Sequence, residues 1–267
     1  MRFLVPLVAS TLLAATARAQ LTPIRTPILV ELFTSEGCSS CPTADAMLAK
    51  MESNQSSKVE IIALGEHVDY WDQLGWHDRF SSHQFTDRQN LYSAHFRLDS
   101  VFTPQMVVDG TYQFSGNDSG KAVQAVVHAS TVPKLALTLA PPSLDGRKLT
   151  STVSLDQPAS NNATVWAALV QPHASTQVRS GENGGHTLTH VAVVRALVRV
   201  GSLKDAGRHP LAVHLTAPPD TNPAELRLVV FAQADTLDPS GTGPSLGPIL
   251  AIATSTPKPP QTEQAAR

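Results

Sequence analysis

Cysteine is scarce in this chain: 267 residues contain two, Cys38 and Cys41. That number excludes a disulfide framework of the kind that holds small secreted domains together. Aromatic residues are few, at 5%. Charged residues reach only 16%, with no basic run, which argues against nucleic acid or an anionic membrane as partner. After the first residues, no segment approaches the ~20 apolar residues of a transmembrane helix. There is no internal repeat. A serine-hydrolase elbow, a zinc-protease helix and a dinucleotide fingerprint are all missing, so no cofactor is expected. What remains is the composition of an ordinary globular protein, 42% hydrophobic and long enough for one large or two ordinary domains.

The first nineteen residues read as a secretory signal. Arg2 supplies a positive start, residues 3–15 are apolar, and Ala17-Arg18-Ala19 fits a small-x-small cleavage pattern. Cleavage removes Arg2 and Arg18 and no acid, so the formal charge falls from −2 to −4. The expected location is exported, periplasmic or secreted, with no stable membrane insertion after cleavage. Disulfides persist in such a compartment.

Residues 24–130 alternate strand and helix signals. Residues 27–33 are a near-continuous apolar run, as in a strand buried on both faces. Pro42 suits the first turn of a helix, and Ala44, Met47, Leu48 and Met51 fall on one helical face. Residues 59–64 predict a second strand. Ser81 or Ser82 caps a helix running to Phe96, with Phe85, Leu91, Tyr92 and Phe96 turned inward. Residues 106–108 and 111–114 are strands joined by Asp109-Gly110, a hairpin signal. A last helix opens at Ser119, with Ala122, Val123, Val126 and Val127 as its apolar stripe. Residues 133–256 read as short strands separated by Pro, Gly and Asn turns, the pattern of a β-sandwich. Residues 257–267 read as a disordered tail.

Chemistry concentrates at Gly37-Cys38-Ser39-Ser40-Cys41-Pro42, directly after the first strand. A strand running into C-x-x-C and then a helix is the layout of a thioredoxin-like redox site. Closing a loop with two intervening residues removes little entropy from the unfolded chain, so the pair is poorly explained as a staple. Cys38, on the more exposed side, is the expected attacking thiol, its thiolate favoured by the helix amino terminus. Cys41, one turn inside, is the expected resolving thiol. A static disulfide is the plainer alternative. Pro104, at the start of a short apolar strand, fits a cis proline packed opposite the cysteines, with Thr103 presenting backbone to a substrate chain.

The element order, strand-helix-strand-helix-strand-strand-helix, matches the thioredoxin fold. The stretches from Glu31 to Pro42, His67 to Asp72, Leu74-Gly75-Trp76, Thr103 to Gly110, and the downstream run from Gly181 to His190 closely resemble an uncharacterised family of secreted, thioredoxin-like bacterial proteins. The resemblance covers nearly the whole chain after the signal. It implies an α/β thioredoxin-like domain at 24–130 followed by an all-β sandwich-like domain at 133–256, and it supplies no substrate. Gly65-Glu66 departs from the more apolar pattern of that family.

The segment after the second strand holds Glu66, His67, Asp69, Trp71, Asp72, Trp76 and His77. Functional groups in open α/β sheets gather at the carboxyl ends of strands. His67 or Asp69 is expected to shuttle a proton for Cys41, His67 being the better matched to neutral pH. Trp71 and Trp76 are candidates to line a substrate groove; a structural flap is the bland reading. Cys38 and Cys41 with His67 or His77 are a candidate Cu(I) site. His186 and His190 share a strand face and read as solvent-exposed, and Glu182 and Arg195 are candidates for contact between the two regions. The sequence thus predicts an exported thiol–disulfide oxidoreductase acting on protein or small-molecule thiols and disulfides, with no metal and no cofactor. A non-catalytic binding module or a Cu(I)-delivery protein is the alternative.

Overall fold

The structure, a computed structural model, describes residues 25–257 except Thr242. The expected signal sequence and almost all of the expected tail lie outside the described residues. The chain opens with β1 (Thr26–Thr34), α1 (Cys41–Ser53), β2 (Val59–His67), α2 (His83–Phe96), β3 (Gln105–Val108), β4 (Tyr112–Ser115) and α3 (Ser119–Ala129). It continues with β5 (Leu137–Leu139), β6 (Ser143–Asp145), β7 (Lys148–Leu155), β8 (Ala163–Gln177), β9 (Thr187–Ser202), α4 (Leu203–Ala206), β10 (Leu211–Thr216), β11 (Arg227–Leu237) and β12 (Pro244–Ser255), with a 3-10 turn at Pro223–Glu225.

Local signals place these elements. The seven residues from Ile28 to Thr34 are all buried, as the apolar run requires. Pro42 stands in the first turn of α1, where its missing N–H costs nothing. Ser82 caps α2 by accepting from the Gln84 amide. Asp109 and Gly110, at φ 52° and 65°, make the tight turn between β3 and β4. The stripe on α3 differs from expectation: Ala122, Ala125 and Ala129 face inward, while Val123 and Val127 are exposed. Small residues let α3 sit close to the sheet, and the valines are left lining an apolar groove of about 310 Å³ with Met47 and Met51.

The expected fold class, an α/β thioredoxin-like domain followed by an all-β sandwich-like domain, is overturned. The molecule is mostly β, and one eight-stranded mixed sheet runs β12-β11-β8-β9-β2-β1-β3-β4 through both regions. β1 and β2 pair in parallel, β3 and β4 follow antiparallel, and β8, β9, β11 and β12 form an antiparallel set. The two sets meet where Gly65 of β2 bridges Val193 of β9 in parallel. A smaller sheet, β10-β7-β5 with β6 on β7, packs beside them.

The physical reason lies in alternation along β8 and β11. Ala168, Val170, Val229 and Phe231 point into the core that holds β1, β2 and helices α1, α2 and α3. Their neighbours Val165, Ala167, Leu169, Leu228 and Val230 point into a second core with β7 and β10. Both faces of these strands are therefore buried. A sandwich closed on itself would bury only one face of each strand.

A buried polar junction ties the regions together. Arg88 of α2 donates from Nε to Glu31 Oε1 of β1 at 2.6 Å and from Nη2 to Gln233 Oε1 of β11 at 2.9 Å. The Tyr92 hydroxyl donates to Glu31 Oε2 and accepts from Gln233 Nε2. At another point, Lys134 Nζ donates to Asp109 at 2.6 Å, both side chains being buried. Removing one member of a buried ion pair strands its partner. Arg88→Met is therefore expected to cost about 3–5 kcal/mol in urea unfolding; a loss below about 1 kcal/mol would show that the junction contributes only packing.

Candidate functional site

The site is built at the carboxyl ends of β1 and β2 and the amino end of α1. β1 ends at Thr34, the chain turns through Ser35–Gly37, and Cys38 and Cys41 form a disulfide with Cα atoms 5.4 Å apart. Ser40, at the helix N-cap, makes no side-chain cap; its hydroxyl lies 3.4 Å from Cys38 Sγ instead. Both cysteines are buried, Cys38 at 1% exposure and Cys41 at 0%. The expectation of a more exposed Cys38 therefore fails, because a second element covers it.

That cover is the tip of the β8–β9 hairpin, residues 178–186. Glu182 accepts from the Ser39 amide at 2.9 Å. Asn183 donates from Nδ2 to the carbonyls of Glu36 and Cys38 at 2.9 and 3.0 Å. Ser180 donates to the Gly75 carbonyl. The contact assigned to Glu182 is present. Arg195 also joins the two regions, away from the cysteines: it lies over the Phe80 ring and pairs with Asp220 at 2.9 Å.

The other predicted residues divide between framework and cluster. The Thr103–Pro104 bond is cis, and Pro104, buried, accepts from the Gly116 amide through its carbonyl. Pro104 and Ala44 of α1 both lie against Gly116, and Asn117 donates to the Ser40 carbonyl. Trp71 donates to Thr103 Oγ1 at 2.8 Å, so these two candidates bind each other. Trp76 donates to Glu36 Oε2 at 2.8 Å. Asp69 is turned away toward α2, where it accepts from Thr86 at 2.6 Å and pairs with His83. Burial pushes its carboxyl up, and the hydrogen bonds from Thr86 and His83 together bring it below the ordinary range.

Behind the disulfide lies a buried cluster of five ionisable groups: Glu36, Asp45, His67, Asp78 and His190. His67 Nδ1 and Asp78 Oδ2 are 2.6 Å apart. Asp78 also accepts from the amides of Glu36 and Phe80. Burial alone would raise the Asp78 carboxyl, but His67 and these amides hold it at about 2. Burial opposes charge on His67, yet Asp78, with help from Asp45 and Glu36, carries its pKa above the usual histidine value. His190, expected at the surface, is buried with its ring 4.8 Å from that of His67. Its Nε2 stands 3.4 Å from Glu36 Oε1 and its Nδ1 3.7 Å from Asp45 Oδ2. Those distances suit Coulomb attraction, but neither nitrogen is aligned for a hydrogen bond. Asp45 and Glu36 were missed in the sequence reading, although each sits within four residues of a cysteine. Among the described residues no group of three or more His, Cys, Asp or Glu side chains is arranged to hold a metal ion.

Asn183→Ala removes two buried hydrogen bonds from the cover, so dithiothreitol should reduce the disulfide about tenfold faster; an unchanged rate would mean the hairpin is not the barrier. The His67–Asp78 pair has a depressed carboxyl and a raised imidazole. The carboxyl's contribution is present above about pH 4 and lost as pH falls toward 2; the imidazole's is full below about pH 6.5 and lost as pH rises through its folded pKa. Unfolding free energy should therefore peak between those limits, and Asp78→Asn should lower the peak by about 3–5 kcal/mol and flatten both limbs. Equal slopes in the two proteins would contradict this.

The comparisons with known proteins agree with the compass of this fold. A protein of known structure from Agrobacterium tumefaciens, AGR_C_4864, is similar with a TM-score of 0.64 and 25% identity, over 88% of this chain and 96% of that one. HBP35 of Porphyromonas gingivalis shares the fold with a TM-score of 0.59 at 14% identity, over 91% of this chain and 80% of that one. No curated protein matches. A match to the family described as protein of unknown function (DUF1223) spans residues 29–233, and the chain belongs to that family.

Proposed function

We propose that this protein carries out thiol–disulfide exchange through Cys38 and Cys41. One observation carries the reading: the only two cysteines form a disulfide across two residues at the amino end of α1, where a cross-link does little for stability. The same position favours a thiolate. Helix amides converge there, and the Ser40 hydroxyl stands 3.4 Å from Cys38 Sγ. In the proposed exchange a partner thiolate attacks Cys38 Sγ, the Cys38–Cys41 bond breaks, and its electron pair leaves on Cys41. A second thiolate from the partner attacks the mixed disulfide and releases Cys38. The partner loses two electrons and the pair gains them; the reverse sequence oxidises the pair. Partners are thiols and disulfides, on proteins or small molecules. We place the reaction outside the cytoplasm on the strength of the amino-terminal sequence.

His67 is bound through Nδ1 to Asp78, and the exchange proposed here gives it no proton step. Asp69 faces away from the cysteines and is bound by Thr86 and His83. Thr103, Trp71 and Trp76 frame the site by binding each other and Glu36.

A second reading has its own observation. Both cysteines are buried, and Glu182 and Asn183 bind the backbone of Ser39 and Cys38 beside them, as in a static disulfide that serves a binding module. Insulin reduction by dithiothreitol separates the two. Catalysis by the unaltered protein that is lost in Cys38→Ser is expected; equal rates for the two proteins would favour the binding module.

A further inference from the structure

Cys41 is fully buried, so the leaving sulfur of the exchange is costly as a thiolate unless a proton reaches it. Asp45 follows Cys41 by four residues on α1, which places both on one helix face a single turn apart. The Thr34 hydroxyl donates to Asp45 at 3.3 Å from the end of β1. His190, from β9, approaches the same carboxylate at 3.7 Å with both ring nitrogens free of hydrogen bonds. We propose that Asp45 exchanges a proton with Cys41, and that His190 is a positioning residue that acts through Asp45. The proposal rests on the exchange reading above and assigns it a proton path.

A thiolate of a partner dithiol bonds to Cys38 Sγ, and the Cys38–Cys41 pair of electrons leaves on Cys41 Sγ. Asp45 passes its carboxyl proton to that sulfur and becomes a carboxylate facing His190. The second partner thiolate then displaces Cys38, and the partner departs as a disulfide, its protons having gone to water. In the opposite direction the Cys41 thiol returns its proton to Asp45 before attacking.

The surroundings of Asp45 suit this traffic. Burial raises the Asp45 carboxyl, while His190, His67 and Thr34 pull it down and Asp78 pushes it up, with a net upward direction. A carboxyl so placed holds a proton closer to neutral pH than an exposed one. Glu36, on the far side of His190, and the His67–Asp78 pair complete the charged groups that face it. Of the two histidines it is His190 that comes within ion-pair distance of the Asp45 carboxylate, at 3.7 Å, and this decides between them.

The test uses the reduced full-length protein and an aromatic disulfide, 5,5′-dithiobis(2-nitrobenzoate), whose released thiolate is coloured. The first equivalent reports attack by Cys38, and the second reports Cys41 closing the disulfide. Asp45→Asn should slow the second phase about 100-fold and leave the first within about twofold. His190→Gln should move the pH midpoint of the second phase upward, because it removes the group that lowers Asp45 most. In the unaltered protein the second phase should show a solvent deuterium effect of about 2 or more, a readout that needs no variant. A second phase with no isotope effect, or unmoved in both variants, overturns the relay while exchange itself stands. Release of no coloured thiolate by the unaltered protein overturns the exchange reading and the relay with it.

Discussion

At Gly65 the backbone of β9 comes close enough to β2 to join the two parts of the sheet. A Cβ there would stand 3.2 Å from the Val191 carbonyl oxygen, tighter than a strand backbone readily accepts. Beside it Ala192 takes φ 51°, so β9 bends where it meets β2. The architecture of the site depends on this approach. Residues of β9 before the junction cross toward α1, which delivers His190 to Asp45 and Glu36. The hairpin tip before them arrives at Ser39 and Cys38. A side chain at position 65 would push β9 outward and move both features away from the disulfide.

Two buried ionic clusters lie along this sheet, and each is stable for a different reason. Around His67 the charges pair: an acid held at about 2 faces an imidazole raised above its usual value, and two backbone amides complete the acid's hydrogen bonds. Around Arg88 one cation meets Glu31 and, at 3.5 Å, Glu66. Burial and the neighbouring Glu31 drive the Glu66 carboxyl well above its usual range, so the cluster carries a proton there instead of a second negative charge. The arginine also stacks over the rings of Tyr92, Trp166 and Phe231, which spreads its contacts across both regions.

The sequence carried the local features well because their causes are local. The buried run of β1, Pro42 at the start of α1, Ser82 as the cap of α2 and the Asp109-Gly110 turn are each written in a few adjacent residues. The C-x-x-C pair was legible in the same way. The union of the sheet was not, since it rests on a glycine pairing with a residue more than a hundred positions away. Nor could alternation tell that both faces of β8 and β11 are buried: two apolar faces of different cores look like one apolar run. His190 was placed at the surface for a related reason. It lies on the buried face of β9 with Leu188, while Thr187 and Thr189 point out, but period two alone does not say which face is covered. Asp45 was hidden by its place in a helix whose apolar positions drew the attention.

The cover and the proposed proton path belong to the same hairpin. Asn183, in the hairpin tip, binds the Cys38 carbonyl, and His190, seven residues on in β9, faces Asp45. In the proposed exchange, a partner that lifts the tip to reach Cys38 would also bend the segment that carries His190. Opening the site to a partner sulfur is then coupled to the electrostatic setting of the acid beside Cys41. A cover hinged elsewhere in the chain would regulate access alone; placed at the tip that leads into β9, it would tie access to the protonation of Cys41 in that exchange.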